Sequence, residues 1–112
     1  MYIGIEIGGT KLQIVVGREN TICGRENFRV DPAKGADGIR GVIEQALAGL
    51  LPQWKPAAVG VGFGGPVDFQ TGRIARSHQI EGWSDFPLRD WLQSYADVPV
   101  WVENDANTAA LG

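Results

Sequence analysis

Residues 2–17 of the chain read YIGIEIGGTKLQIVVG, in which two apolar runs flank a glycine-rich turn at 8–11. The carboxylate of Glu6 comes just before this turn. Glycines let a backbone approach a ligand closely, while free N–H groups, the Thr10 hydroxyl and the Lys11 charge can face an anion. An acid beside a phosphate cradle suggests a metal that bridges the two. The pattern therefore indicates nucleotide phosphate chemistry, although a Gly-Gly pair is also frequent in a simple hairpin.

The bulk properties of the chain fit one globular domain. It has 112 residues, of which 44% are hydrophobic and 21% charged, as in an ordinary folded protein. A net charge of −3 gives no basic surface for nucleic acid, and no apolar run approaches the ~20 residues of a membrane span. Met1 leads directly into the first predicted strand, so we expect no signal peptide. The single cysteine, Cys23, excludes a disulfide within the chain, so we expect a cytoplasmic protein in which Cys23 is buried in a strand.

Glycine is about twice as frequent as usual, with 16 residues among 112 against a typical share of ~7%. The glycines cluster in the 8–11 turn and between residues 60 and 65, which predicts a site where backbone meets ligand. The sequence from 104 to 112 predicts the opening of a helix that stops after about two turns, and so short a helix is marginal by itself. We therefore expect the sequence to be the N-terminal piece of a longer protein.

The first half of the chain predicts three strands and a helix. Strands are expected over 2–7, 11–17 and 21–30. An apolar repeat with helical spacing follows, with Asp37 as the expected helix cap and Pro52 as its expected end. The residues of that repeat are Ile39, Val42, Ile43, Ala46, Leu47, Leu50 and Leu51.

The second half predicts alternating strands and helices. Residues 57–62 are mostly apolar, which is typical of a strand buried on both faces, and a loop is expected over 64–68. Pro87 suits the first turn of a second helix, whose apolar face is expected to hold Leu88, Trp91, Leu92 and Tyr95. The remaining expected elements are a short strand at 73–75, a strand at 98–102 and a final helix capped by Asn104 or Asp105.

The element order β-β-β-α-β-α-β-α predicts an α/β fold with a mixed sheet. The first three strands can pair as an antiparallel meander, and the later strands, each following a helix, should join in parallel. Ligands of open α/β sheets bind beyond the carboxyl ends of the strands. Segments 6–11, 64–68 and 103–105 all fall at such ends, so we expect them to converge on one edge of the sheet.

Residues 103–107, Glu-Asn-Asp-Ala-Asn, place four polar side chains at the mouth of this sheet. Asp105 can serve only as a helix cap, which is a frequent role for Asp, or it can be a general base that takes a proton from a substrate hydroxyl. Asn104 both donates and accepts hydrogen bonds, which suits sugar hydroxyls. The composition of this segment favours hydroxyl recognition.

Taken together, these segments resemble the ROK family of sugar kinases and sugar-responsive repressors, within the actin-like ATPase superfamily with its RNase H-like fold. The resemblance covers almost the whole chain in order. The matching segments are IGIEIGGTK at 3–11, GVGFGGPVD at 60–68, QIEGW at 79–83 and VENDANTAALG at 102–112.

The resemblance implies roles for particular residues. Asp105 would be the catalytic base, and Glu6 would act towards Mg²⁺ through water. The residues implied to approach the ATP phosphates are Gly8, Gly9, Thr10 and Lys11, and those implied to bind the sugar are Asn104, Gly64, Gly65, Gln79 and Glu103. Two positions depart from the family pattern: Glu6 stands where most members have Asp, and Gln79 where they have a sugar-binding Asn.

The resemblance thus implies the N-terminal half of an ATP-dependent hexose kinase, acting on a glucose-like sugar as a homodimer. Its partners would be sugar and ATP with Mg²⁺, without nucleic acid or membrane. Zinc would be expected only in the C-terminal half, without which the piece should be inactive. The alternative is a repressor that binds sugar without catalysis, but such proteins usually carry a DNA-binding segment ahead of the phosphate motif, where this sequence has Met1. A non-catalytic actin-like module leaves residues 103–107 unexplained.

Overall fold

The computed structural model describes residues 1–8, 11–18, 21–63, 67–68, 73–74 and 86–103. The strands and helices follow the predicted α/β order, with one further short strand at Val67–Asp68, while the expected final helix lies outside the described residues. In chain order they are β1 (Tyr2–Ile7), β2 (Lys11–Arg18), β3 (Thr21–Arg29), a 3₁₀ turn (Pro32–Lys34), α1 (Gly35–Trp54), β4 (Ala58–Phe63), β5 (Val67–Asp68), β6 (Arg73–Ile74), α2 (Leu88–Ala96) and β7 (Val100–Glu103).

Five of the strands form one mixed sheet in the order β3-β2-β1-β4-β7. The first three strands pair antiparallel, whereas β4 pairs parallel with β1, and β7 pairs parallel with β4. Both parts of the predicted topology are confirmed. Consequently the carboxyl ends of β1, β4 and β7 lie at the same edge of the sheet, as expected.

The two short strands form a separate antiparallel ribbon in which Val67 pairs with Ile74 and Asp68 with Arg73. The short strand expected at 73–75 is therefore confirmed for its first two residues. The expectation of a loop throughout 64–68 is wrong for Val67 and Asp68, because backbone pairing with the later strand draws them into the ribbon.

One face of the sheet carries the core. Side chains alternate along a strand, so Ile3, Ile5 and Ile7 of β1 point to one face, where both helices pack. The register aligns four buried side chains across that face, which we call the apolar row: Ile14, Ile5, Val61 and Val102. The helices cover it with fully or almost fully buried residues: Ile39, Ile43 and Leu47 of α1, and Leu88 and Leu92 of α2. Burying each such side chain contributes about 1.5–3 kcal/mol.

The two helices also contact each other directly. The Arg40 guanidinium of α1 lies 4.2 Å above the Phe86 ring, which in turn makes an edge-to-face contact with Trp91 at 5.9 Å between centroids. Tyr95, expected on the apolar face of α2, is 41% exposed, and its hydroxyl donates a 3.2 Å hydrogen bond to the Glu44 carbonyl. These contacts fix α2, and with it the strand that follows, against α1.

The ends of α1 differ from the prediction. Asp37 is not the cap: the helix begins at Gly35 after the 3₁₀ turn, and the Asp37 carboxylate pairs with Arg40 in the first turn. Lys34 occupies the N-cap position of α1 and makes no side-chain capping hydrogen bond. The Asp31 carboxylate accepts a 3.0 Å hydrogen bond from the Ala33 N–H ahead of the helix, as an Asp commonly does in a turn, and so stabilises the 3₁₀ turn.

Pro52 does not end α1, which continues to Trp54. Proline removes one helical hydrogen bond, but Leu51 and Trp54 pack against the core and hold the last turn. The helix ends instead at Lys55, whose left-handed backbone lets its N–H donate to the Leu51 carbonyl at 2.9 Å. Pro87, expected in the first turn of α2, lies immediately before Leu88, the first helical residue.

Cys23 is exposed rather than buried. Strand β3 lies at the edge of the sheet, and its register shifts between Val16, which pairs with Gly24, and Gly17, which pairs with Ile22. Cys23 therefore falls in a β-bulge of an edge strand. Such bulges are a common device for interrupting an edge that could pair with another chain.

Candidate functional site

A second row of residues lies one position further along the strands, on the face opposite the helices. The register places Gln13 beside Glu6, Glu6 beside Gly62, and Gly62 beside Glu103. We call these four positions the polar row; Asn27 of β3 continues it beside Gln13. The expected convergence of the segments containing Glu6 and Glu103 is thus confirmed for these two residues. Only one strand, β4, lies between them.

Glu6 is half-buried near the end of β1, and Gln13, also half-buried, lies directly opposite it on β2. Directly opposed residues of an antiparallel pair have α-carbons about 4.5–5.5 Å apart, so Gln13 belongs to the immediate surroundings of the carboxylate. Sequence reasoning missed Gln13. The signal was the hairpin itself: a turn that pairs residue 8 with 11 must also pair 6 with 13.

The turn after β1 is tight. The Gly8 N–H donates to the Lys11 carbonyl at 3.0 Å, and a β-carbon added at Gly8 would lie 3.3 Å from that same oxygen, closer than most real contacts. The turn therefore has little room for a side chain at Gly8. Glycine-rich turns are a type of structure that can cradle an anion.

Beyond the polar row, on the same face, two basic residues lie opposite each other. Lys11 begins β2 and pairs in register with Arg29, the last residue of β3; both are exposed. We call them the cation pair. Lys11 was predicted from the sequence, whereas Arg29 was missed, because its position follows only from counting the register through the bulge of β3.

Four of the residues predicted for the site are described, and they lie at one edge of the sheet: Glu6, Gly8, Lys11 and the backbone of Glu103. The other predicted site residues lie outside the described part of the chain, and their roles stay predictions: Gly9, Thr10, Gly64, Gly65, Gln79, Asn104 and Asp105.

Within the described ranges, no group of three or more His, Cys, Asp or Glu side chains could hold a metal ion. A dedicated protein cage is not what Mg²⁺ requires, since it usually keeps several waters and is held by one or two carboxylates together with phosphates. A half-buried carboxylate at Glu6 next to the tight turn fits that mode.

Among the described residues, no helix is long and apolar enough to cross a membrane.

The fold is that of known sugar kinases. The structure superposes on a ROK family glucokinase from Streptomyces griseus, solved in complex with glucose and AMPPNP, with a TM-score of 0.79 and 36% identity over 97% of this chain and 34% of that one. This similarity confirms the predicted RNase H-like α/β fold. A ROK family transcriptional regulator, a homologue of the E. coli MLC protein, matches with a TM-score of 0.74 at 11% identity over 90% of this chain and 26% of that one, which shows the fold alone.

The sequence gives the same assignment. A glucokinase of Halalkalibacterium halodurans is 34% identical over 99% of this chain, and this chain spans about a third (35%) of that relative's length. The proteins that this chain matches therefore include sugar kinases as well as a transcriptional regulator. The sequence model of the ROK family matches residues 2–112, and the chain therefore belongs to the ROK family.

Proposed function

We propose that the chain is the N-terminal domain of a cytoplasmic ATP-dependent hexose kinase that acts on a glucose-like sugar. The observation that carries the proposal is the polar row, in which Glu6 and Glu103 flank Gly62 at the carboxyl edge of the sheet. The row joins the segment matching the family's phosphate motif to the segment matching its catalytic motif. The similarity of the chain to two glucokinases supports the same proposed function.

On the phosphate side, the turn would hold the ATP phosphates with the backbone N–H of Gly9, the Thr10 hydroxyl and the Lys11 ammonium. Gly8, whose own N–H donates to the Lys11 carbonyl, would let the phosphates come close because it has no side chain. Glu6 would orient water molecules around Mg²⁺. When bound, Mg²⁺ supplies positive charge that offsets the charge developing on the transferred phosphoryl group. The half-buried position of Glu6, between Gln13 and Gly62, suits a carboxylate that must be held in one place.

On the acceptor side, Glu103 ends β7, and the two residues proposed to act on the sugar follow it directly. Asn104 would hold a sugar hydroxyl, and Asp105 would take the proton from the hydroxyl that attacks the phosphoryl group. Further sugar contacts are proposed for Gly64, Gly65, Gln79 and Glu103. Two strand spacings of about 4.8 Å separate β1 from β7, so the two sides of the row are about 10 Å apart, enough to place a phosphoryl group between them.

The test is a screen of hexoses with the full-length protein and ATP, with an Asp105→Ala variant beside the wild type. Loss of a general base reduces kcat by about 10²–10⁴-fold. Asp90→Ala is the matched control, because Asp90 is an exposed carboxylate on α2 that is not among the predicted site residues. The proposal predicts full activity in the control. An unchanged rate in Asp105→Ala would show that Asp105 is not the base.

A second candidate function is a sugar-responsive repressor, since a transcriptional regulator shares the fold. It would bind a sugar without transferring phosphate. Calorimetry with the same hexoses separates the two: a repressor binds sugar while ATP is neither bound nor consumed, and a kinase consumes ATP in proportion to sugar phosphate formed. In the kinase, the isolated 112-residue piece is proposed to be inactive, with zinc and the homodimer contact supplied by the C-terminal half.

A further inference from the structure

We propose that Arg29 binds the phosphate chain of the nucleotide together with Lys11, which adds a fifth residue to the predicted phosphate site. The inference rests on the proposed function, since it takes ATP as the ligand. The predicted phosphate motif does not include Arg29. Along the chain, β2 and the rest of β3 lie between Arg29 and the glycine-rich turn.

The register brings Arg29 back to the turn. Lys11 and Arg29 are directly paired between β2 and β3. Their neighbours Leu12 and Phe28 pack on the helix-covered face, so strand alternation places Lys11 and Arg29 on the opposite face, the one that carries Glu6. The cation pair therefore lies on the same face as the polar row. Along each strand it is two residues nearer the carboxyl edge of β1, where the ligand is proposed to bind.

The electrostatics of this pair point to an anion. Like charges directly opposite each other on a sheet are destabilising. Within the described part of the chain, neither Lys11 nor Arg29 forms an ion pair that would offset this repulsion. The nearby carboxylate of Asp31 is engaged with the Ala33 N–H. A phosphate placed between the two cations would convert the repulsion into two attractions.

The reach is adequate. Arg29 lies one strand spacing from Lys11 and two, or about 10 Å, from Gly8, whose N–H is bonded to the Lys11 carbonyl. Arginine has three methylene groups before its guanidinium and can extend across one strand spacing, so it reaches phosphates that lie beside Lys11. Its planar fork can also donate two parallel hydrogen bonds to two phosphate oxygens, a fixed geometry that an ammonium lacks. Arg29 thus suits the outer side of a phosphate chain whose inner side rests on the turn.

Arg25 provides a matched control within the same strand. It is also an exposed arginine of β3 and lies on the same face, but it pairs with Val15, four residues further from the ligand edge. Arg25→Gln and Arg29→Gln therefore change the same charge on the same strand. They differ in distance from the turn and in their cross-strand partner, which is Lys11 for Arg29 and Val15 for Arg25.

The experiment measures binding of Mg²⁺·AMPPNP and of adenosine, which lacks phosphates, to the full-length wild type and both variants by calorimetry. We expect Arg29→Gln to weaken AMPPNP about three- to tenfold and to leave adenosine unchanged, while Arg25→Gln changes AMPPNP less than about twofold. Without nucleotide, Arg29→Gln should melt at the wild-type temperature or slightly above it, because a like-charge repulsion is removed.

Equal AMPPNP affinities for the two variants would overturn the inference. So would a lower melting temperature of Arg29→Gln accompanied by an equal loss of adenosine binding, since that result would assign Arg29 a structural role. If the wild type itself binds no AMPPNP, the proposed function fails and the inference falls with it. If the wild type binds and only the comparison of variants fails, the proposed function stands without Arg29.

Discussion

The apolar row and the polar row run across the same four strands, one residue apart, and differ in what they contribute. Ile5 and Val61 of the apolar row are fully buried beneath the two helices. Glu6 and Gly62, their neighbours in sequence, lie on the other face at the carboxyl edge. Strand alternation places the two rows on opposite faces of the sheet. Each of these strands therefore contributes one residue to the core and the neighbouring residue to the candidate site. Substitutions in the two rows should therefore have separable effects.

The largest expected effect is in the apolar row. Ile5→Ala removes a side chain with no exposed surface and leaves a cavity, which costs about 2–5 kcal/mol of the free energy of unfolding. Chemical denaturation of the full-length protein measures it. Ile5→Val, a smaller deletion at the same position, should cost about 0.5–1.5 kcal/mol. A cost for Ile5→Ala below that of Ile5→Val would contradict the placement of the row in the core.

Glu6→Gln tests the polar row. It keeps the side-chain size but removes the charge, so we expect the free energy of unfolding to change by less than about 1 kcal/mol while kcat/KM for Mg²⁺·ATP falls about 10–100-fold. The Mg²⁺ concentration that gives half-maximal rate should rise in parallel. Glu6→Asp, which keeps the carboxylate on a side chain one methylene shorter, is the control and should keep most of the activity. A Mg²⁺ dependence unchanged by Glu6→Gln would remove Glu6 from the metal site.

Gly17 lies on the face of the polar row, at the far end of the sheet from the site. A β-carbon there would approach the Tyr2 ring to 2.5 Å, so Gly17→Ala forces the ring to move and should destabilise the fold by about 1–3 kcal/mol. In a Tyr2→Ala background the same substitution should cost clearly less, since the overlapping ring is gone. Equal costs in both backgrounds, measured by thermal unfolding, would show that the ring is not the cause.

The smallest expected effect lies outside both rows. Lys55 ends α1 with a left-handed backbone, φ 47° and ψ 60°, which glycine adopts without strain. Lys55→Gly should therefore stabilise the fold by up to about 1 kcal/mol, since the relief of strain exceeds the added freedom of the unfolded chain. Gln53→Gly, in the last helical turn, should destabilise by about 0.5–1 kcal/mol. A destabilising Lys55→Gly would contradict this account of the helix end.

Much of the fold could be predicted from the sequence because alternation and helical spacing are strong where one side of an element is buried. The Ile3, Ile5, Ile7 pattern and the Ile39, Ile43, Leu47 repeat both identified faces that pack in the core. Helix ends were less predictable. The positions of Asp37 and Pro52 suggested boundaries that the 3₁₀ turn and the packing of Trp54 displaced.

The site was predictable where a motif is contiguous and hidden where it depends on register. Glu6, Gly8 and Lys11 follow from one hairpin sequence. Gln13 and Arg29 join them only through cross-strand pairing. A bulge at an edge strand shifts that pairing by one residue, and alternation alone does not reveal it. Cys23 lies in the same bulge, on an edge strand whose residues are mostly exposed.

The central claim is that the face bearing the polar row receives the nucleotide phosphates. Its most direct test is a crystal structure of the full-length protein with glucose, Mg²⁺ and AMPPNP. We predict phosphate oxygens within hydrogen-bonding distance of the backbone at 9–11, with Glu6 linked to Mg²⁺ through water and Asp105 beside the attacking sugar hydroxyl. Phosphates bound away from this turn, with Glu6 directed elsewhere, would contradict it.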